Sequence, residues 1–246
     1  FIIIDQRKNK VIDHQDQNLI ENLCNRRFGI GGDGLILLEN SSEYDFNMVY
    51  FNADGKQSTM CGNGGRCIVQ FAKYLGIIGE QTKFEAIDGL HTAKIIKDEN
   101  VSLQMRDVNN VECINSDIYI LDTGSPHYIK IVEQWPDNIK TAGAQIRYST
   151  EYFNAGINVN FVKWHLNGME VATYERGVED ETLSCGTGVV AAALAGSLTE
   201  GRQYRSIEVK TKGGALHVSF DKEEHKFINV FLTGPAKRVF EGTIQL

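Results

Sequence analysis

The chain has 246 residues, 42% hydrophobic and 23% charged, with a formal net charge of −7. That length and balance predict a packed core in one large or two medium domains. The acidic excess, without a long Lys/Arg run, argues against nucleic acid and anionic membrane as partners, and no apolar run approaches the ~18 residues of a spanning helix. The cysteines are Cys24, Cys61, Cys67, Cys113 and Cys185, an odd number in a long chain with no CxxC pair and no zinc-like Cys/His spacing. They predict a reduced, cytoplasmic protein without a disulfide framework or a metal site.

In chain order, FIIIDQRKNK reads as a strand rather than a signal peptide. It lacks a Met, so the expectation is that native residues precede it. The glycine-rich GIGGDG (29–34) lacks the GxGxxG or GxxxxGK[ST] order and the βαβ context of phosphate loops, and reads as a structural turn. DFNMVYFNA alternates as a strand and runs into a Gly-containing loop before Cys61. A helix is predicted over 62–76 (GNGGRCIVQFAKYLG), then a strand–turn–strand in KFEAIDGLHTAKI and a strand in VSLQMRDV. The stretch 107–116 (DVNNVECINS) has the weakest pattern, and a boundary is placed there. IYILDTG, NVNFVKW and MEVATYERG read as strands leading to Cys185, and a second helix is predicted over 186–200 (GTGVVAAALAGSLTE). SIEVKTKGGALHV and HKFINVFLTG follow as strands, and the final RVFEGTIQL reads as a strand returning to pair with the N-terminal one.

The surroundings of the two helices repeat. Tyr50 and Tyr174 each lie 11 residues before a cysteine, and Gly89 and Gly213 each lie 28 after it. CGNG and CGTG open the two helices. A long-period self-match signals duplicated units. It predicts an α/β (α+β) fold of two pseudo-symmetric halves, each a mostly antiparallel sheet wrapped around a central helix. The halves are drawn as 1–108 with 234–246, and 109–233.

A cysteine at a helix N-terminus faces unpaired backbone N–H groups and the positive end of the helix dipole. Both favour thiolate over thiol. Flanking glycines allow close backbone approach, and the same amides can hold a carboxylate. Two such sites facing one substrate could remove an α-proton from one side and deliver one from the other. That inverts a stereocentre, whereas one acid/base on one face returns the proton with retention. Aligned amides would stabilise the carbanion-like transition state more than the ground state, with no cofactor needed. Cys24, Cys67 and Cys113 read as packing residues. Cys67, six residues beyond Cys61, falls on a different helix face. A Cys61–Cys185 disulfide would be an oxidised artefact.

FNADGKQSTMCGNGGRC (51–67) and YERGVEDETLSCGTG (174–188) resemble the two cysteine signatures of the diaminopimelate epimerase family. RRFGIGGDGLILLE (26–39), TGSPH (123–127), NVNF (158–161) and LTGPA (232–236) fall in the family's order, so the resemblance covers nearly the whole chain. The wider fold superfamily includes proline and hydroxyproline racemases and a phenazine-pathway isomerase. The resemblance implies a cofactor-independent isomerase interconverting LL- and meso-diaminopimelate in lysine and peptidoglycan precursor biosynthesis, and it leaves a homodimer open. Cys61 and Cys185 would be the acid/base thiols, Cys61 taking the proton from the LL isomer. The amides of Gly62, Asn63, Gly186 and Thr187 would hold the α-carboxylate. Asn52, Asn158 and Arg176 would read the distal carboxylate and amine, and Glu175 and His127 would line the site.

Plainer readings stand beside these. Asn52 in NADG could be a turn residue and Asn158 a strand end. Arg176 could be a solvated charge, Glu175 a surface partner, and His127 a buried structural histidine. Three features depart from the family pattern. Ser125 stands where Asn is common, which implies a shortened or water-bridged distal contact. ERGVEDETLSCG is about one residue longer than the commonest spacing. A family Asn that precedes the Phe1 position is not among these residues. The rival functions are a proline- or hydroxyproline-type racemase, a non-catalytic amino-acid binding module, and a thiol–disulfide redox protein, the last weakened by the lack of CxxC.

Overall fold

The computed structural model describes residues 1–97, 99–166, 168–199, 205–224 and 226–245. By its contacts the chain divides into two compact units, Phe1–Leu103 with Pro235–Leu246, and Gln104–Gly234.

The first unit runs β1 (Ile2–Asp5), α1 (Gln17–Cys24), β2 (Gly34–Glu39), β3 (Phe46–Asn52), β4 (Gln57–Ser58), α2 (Gly62–Tyr74), β5 (Gln81–Ala86), β6 (Gly89–Ile95) and β7 (Asn100–Gln104). Its pairing order is β1-β2-β3-β5-β6-β7, with β4 on β3. The second unit opens with a hairpin, β8 (Val111–Asn115) and β9 (Ile118–Asp122). It continues as β10 (Pro126–Ile131), α3 (Ile139–Arg147), β11 (Asn158–His165), β12 (Gly168–Glu175) and β13 (Asp180–Thr182). It closes with α4 (Gly186–Gly196), β14 (Ser206–Thr211), β15 (Gly214–Glu223) and β16 (Lys226–Pro235).

Without the β8–β9 hairpin, both units have one order of elements: β-α-β-β-β-α-β-β-β. The ladders match as well. β1–β2 and β10–β11 are parallel, β2–β3 and β11–β12 antiparallel, and β3–β5 and β12–β14 parallel. The parallel pairs arise where a helix carries the chain across, because parallel neighbours need a crossover. Within each unit the other pairs are antiparallel hairpins, so the strands of each unit are mostly antiparallel. One detail of the repeat shifts. Register places Gly89 (φ 116) opposite Ala86, and Gly214 (φ 129), not Gly213, opposite Thr211. The second connection from cysteine to hairpin is therefore one residue longer, and the left-handed position falls on Gly214, where a side chain would be strained.

Each sheet has a helix on either side of its early strands. Strand alternation sends Leu35 and Leu37 to the α1 side, packed with Ile20, Leu23 and Cys24. Ile36 and Met48 lie on the opposite side and meet Gly64 of α2. In the second unit, Val159, Phe161 and Tyr174 pack with Ile139, Ala142 and Ile146 of α3. Helix α4 lies against β9, β10, β11, β12, β14 and β15, and every residue in it except Thr187 is buried. An apolar helix wrapped on all sides needs no polar face.

Several sequence expectations change. Helix α2 ends at Tyr74 and α4 at Gly196, shorter than 62–76 and 186–200; position 200 lies outside the described residues. Within 107–116, the residues Val111–Asn115 form β8. RVFEGTIQL (238–246) is not a strand in its described residues and does not pair with β1. Val239 and Phe240 are adjacent, so a strand would send them to opposite faces, and they are 87% and 71% exposed. This segment is instead held to the end of α2: the Arg238 guanidinium lies 4.1 Å from the Tyr74 ring centroid, and Tyr74 donates to Glu241. Cys113 is exposed on β8 and donates to Asn115 O, so it is not a packing residue. GIGGDG closes on the end of α1: Gly31 and Gly32 donate to the Leu23 and Cys24 carbonyls, and Gly29 donates to that of Asn25, the residue just after the helix. Among the described residues no helix is long and apolar enough to cross a membrane.

Candidate active-site residues

In the first unit, Cys61 is the N-cap of α2, with extended φ −103° and ψ 145°. Its Sγ accepts the Gly64 N–H at 3.2 Å, the role usually taken by Ser or Asp oxygen. The approach is close because residue 64 is glycine: a Cβ there would lie 3.0 Å from that sulfur and 3.1 Å from Ile36 Cδ1. Cys61 and Asn63 are half-buried, and Gly62 is buried. Arg66, 5% exposed, reaches back along the helix; Nη1 donates to Gly62 O at 3.1 Å and Nη2 to Asn63 Oδ1 at 3.0 Å. Asn52 ends β3 in the exposed turn to β4, where it accepts Gly55 N–H and donates to Lys56 O through its backbone. It thus has the turn geometry of the plainer reading, with its side chain in an exposed position.

In the second unit, Cys185 is the buried N-cap of α4, with φ −105° and ψ 112°. Its Sγ lies 3.4 Å from Thr187 Oγ1. Behind the threonine lies a hydrogen-bond chain that strand alternation assembles. Asn158 and Asn160, two apart on β11, share the face opposite Val159 and Phe161. Asn160 Oδ1 accepts the Thr173 hydroxyl at 2.8 Å, so its Nδ2 is turned to donate to His127 Nδ1 at 3.0 Å. With Nδ1 accepting, the imidazole is the neutral tautomer whose Nε2–H donates to Thr187 Oγ1, at 3.0 Å. The Thr187 hydroxyl hydrogen is then free for the cysteine sulfur. Burial, with Arg176 adding to it, pushes the His127 pKa from 6.5 down to about 3, in keeping with a neutral ring. Gly188 is the contact that lets α4 sit on this chain, since a Cβ there would lie 2.4 Å from Asn160 Oδ1.

Asn158 ties two loops together. Its Nδ2 donates to Ser125 Oγ at 2.7 Å and Pro126 O at 3.0 Å, and its Oδ1 accepts the Arg176 N–H at 2.9 Å. Ser125 therefore bonds to Asn158 itself. Arg176 Nη1 donates to Ala155 O. Glu175 ends β12, and the longer ERGVEDETLSCG segment forms a hairpin in which β13 pairs back on β12. Glu179, in a left-handed turn position (φ 57°), pins that hairpin by accepting from Tyr174 Oη and Gly177 N–H. Burial opposes ionisation of Glu179, but the Gly177 N–H, the Tyr174 and Tyr148 hydroxyls and Arg147 hold its carboxyl below the usual range.

Each predicted thiol thus sits at the start of its helix. In the second unit Ser125, Asn158 and Arg176 are joined by hydrogen bonds, and His127, Thr187 and Cys185 by another set. Sequence reasoning gave no role to Arg66, Asn160, Thr173 or Glu179. The period-two spacing of NVNF was a usable signal for Asn160, and a cation four residues after Gly62 on a glycine-rich helix face was one for Arg66.

The diaminopimelate epimerase family model matches residues 1–111 and 119–239. A diaminopimelate epimerase from Flavobacterium psychrophilum is 52% identical over 246 residues, 99% of this chain and 95% of that protein. One from Chlorobaculum tepidum is 43% identical, covering 100% of this chain and 97% of that protein. Among solved structures, a Bacillus anthracis phenazine biosynthesis protein of the PhzF family aligns with a TM-score of 0.69 at 14% identity, covering 95% of this chain and 89% of that one. A hydroxyproline epimerase from Agrobacterium vitis, with bound trans-4-OH-L-proline, aligns at 0.62 and 16%, covering 87% and 76%. These two likenesses establish the fold alone. With the family model spanning both units and close relatives matching along the whole length, the chain belongs to the diaminopimelate epimerase family of isomerases.

Proposed function

We propose that the chain interconverts LL- and meso-diaminopimelate with Cys61 and Cys185 as its two acid/base groups, without a cofactor, in the cytoplasmic synthesis of lysine and peptidoglycan precursors. The observation that carries this reading is the repeat itself: each unit sets a cysteine as the N-cap of its second helix, followed by Gly-x-Gly. The reaction needs both thiols at one α-carbon. Cys61 takes the proton from the LL isomer while Cys185 supplies one to the other face, and the roles exchange in reverse. The amides of Gly62, Asn63, Gly186 and Thr187 hold the α-carboxylate, where charge grows as the proton leaves. Arg176 pairs with the distal carboxylate and Asn52 assists, while Asn158 holds the Ser125 hydroxyl, the Pro126 carbonyl and the Arg176 backbone N–H that frame this recognition. Glu175 lines the site beside them. A site built to pair a distal carboxylate rejects amino acids lacking it, because its own polar groups are left unpaired.

The test is exchange of the substrate α-hydrogen with solvent deuterium under reducing conditions, with chiral analysis of the product. Wild type is expected to exchange and invert; Cys61→Ser and Cys185→Ser are expected to bind diaminopimelate yet lose inversion by at least about 10²-fold, the scale of acid/base contributions. Inversion at the wild-type rate by either variant would end the two-thiol mechanism. Binding by wild type without exchange would make the protein a binding module.

A further inference from the structure

We infer that Arg66 is a positioning residue for Cys61: its buried guanidinium, tied to the two residues that follow the cysteine, is the fixed positive charge that favours the Cys61 thiolate. The inference rests on the proposed acid/base role of Cys61, but its test does not need turnover. Burying a guanidinium is unfavourable unless hydrogen bonds and a counter-charge compensate. Arg66 is 5% exposed, and its two hydrogen bonds end on neutral oxygens, Gly62 O and Asn63 Oδ1. Its Nε has no partner among the described residues. None of the ion pairs among those residues involves it. The first turn of α2 contains no acidic residue.

Among the described residues, two thiols that can become anions bear on its charge. Burial lowers the Arg66 pKa, and the sulfurs of Cys67 and Cys61 act in the opposite direction. Cys67 is a poor counter-ion, because burial pushes its own thiol up. Cys61 is the better one. Like Cys67 it is half-buried, but it stands at the helix start, and its sulfur already accepts the Gly64 N–H, a donor that favours the anion. The guanidinium also fixes Asn63. With Oδ1 accepting from Nη2, the Asn63 amide presents its Nδ2 hydrogens away from Arg66. One buried cation thus both charges and orders the first turn after the thiol.

The test is site-resolved alkylation of the whole chain by iodoacetamide across pH, under reducing conditions, because only the thiolate reacts. Exposed Cys113 serves as the reference thiol within each sample. In wild type, Cys61 is expected to titrate below Cys113. Arg66→Gln and Arg66→Met are expected to raise the Cys61 midpoint by about 1–2 pH units, a slowing at neutral pH of about 10–100-fold, with Cys113 unmoved. Arg66→Lys is expected to keep most of the depression. A purely structural arginine would lower the melting temperature in these variants without moving the titration. Wild-type Cys61 titrating at or above Cys113 would overturn the inference, as would an unmoved Cys61 midpoint in a folded, uncharged variant. If both uncharged variants misfold, the wild-type comparison and Arg66→Lys decide. A depressed Cys61 midpoint in a protein that does not epimerise diaminopimelate would sink the proposed reaction and leave Arg66 its role.

Discussion

At the scale of single residues, the second unit holds its cysteine by a neutral chain. Asn160 commits its Nδ2 to His127 Nδ1, and the ring passes its one N–H to Thr187. A folded pKa of about 3 against an ordinary 6.5 means that the unfolded chain binds a proton the folded one refuses. The contribution of His127 to stability is therefore complete above about pH 6.5 and is lost progressively as the pH falls toward 3, at no more than about 1.4 kcal/mol per pH unit. His127→Gln is expected to remove this part of the acid sensitivity, read as a smaller drop in urea midpoint between pH 7.5 and pH 5 than in wild type. An equal drop in both proteins would show that the histidine is already charged in the native state. The sequence carried part of this site. Cys61 and Cys185 stood out because a glycine-flanked cysteine recurred in one frame. Asn158 and Asn160 are separated by one residue in a strand, so their common face was legible, but the partners of that face, Thr173 and His127, come from other strands. Only tertiary pairing shows that Asn160 rather than solvent sets the histidine tautomer.

At the scale of elements, the two long helices were readable from apolar spacing after a glycine-rich start, whereas α1 and α3 were not singled out. These are short, mixed-polarity helices of 8 and 9 residues. Their clearest marks are the N-caps Asp16 and Asn138, which accept from Leu19 and Thr141 N–H groups. The three residues of β13 are DET, which show no alternation; they become a strand only because β12 offers them a ladder. Helix α3 also shows packing overruling propensity. Alanine in a helix interior is favoured over glycine by about 1 kcal/mol. At Gly143, however, a Cβ would lie 2.4 Å from the Tyr174 Cβ, an atom close to the β12 backbone that cannot swing aside. Overpacking of this kind costs about 1–3 kcal/mol. Gly143→Ala is therefore expected to lower the melting temperature by several degrees, and a rise would show that α3 can lift from β12 without loss.

At the scale of the molecule, the order β-α-β-β-β-α-β-β-β occurs twice, and the sequence showed it through two cysteines and the residues spaced around them. The halves were less legible at their edges. The β8–β9 hairpin has no counterpart in the first unit, and the last residues look like a strand by composition while binding through Arg238, Tyr74 and Glu241. Their attachment has a consequence for the order in which the chain can assemble. The second unit is one continuous stretch, Gln104–Gly234, while the first is completed only by Pro235–Leu246, which supplies the Ala236 N–H to Glu99 O. A ribosome releases residues in sequence, so all of the second unit has been synthesised before the clasp on the first exists. In pulse-labelled nascent chains the amides of β11 and β12 are expected to gain protection while the last turn of α2 still exchanges. A chain stopped after Gly234 is expected to keep β11 and β12 protected and to leave the end of α2 open to protease. Equal protection of that turn with and without residues 235–246 would show that the clasp forms too late and too weakly to matter.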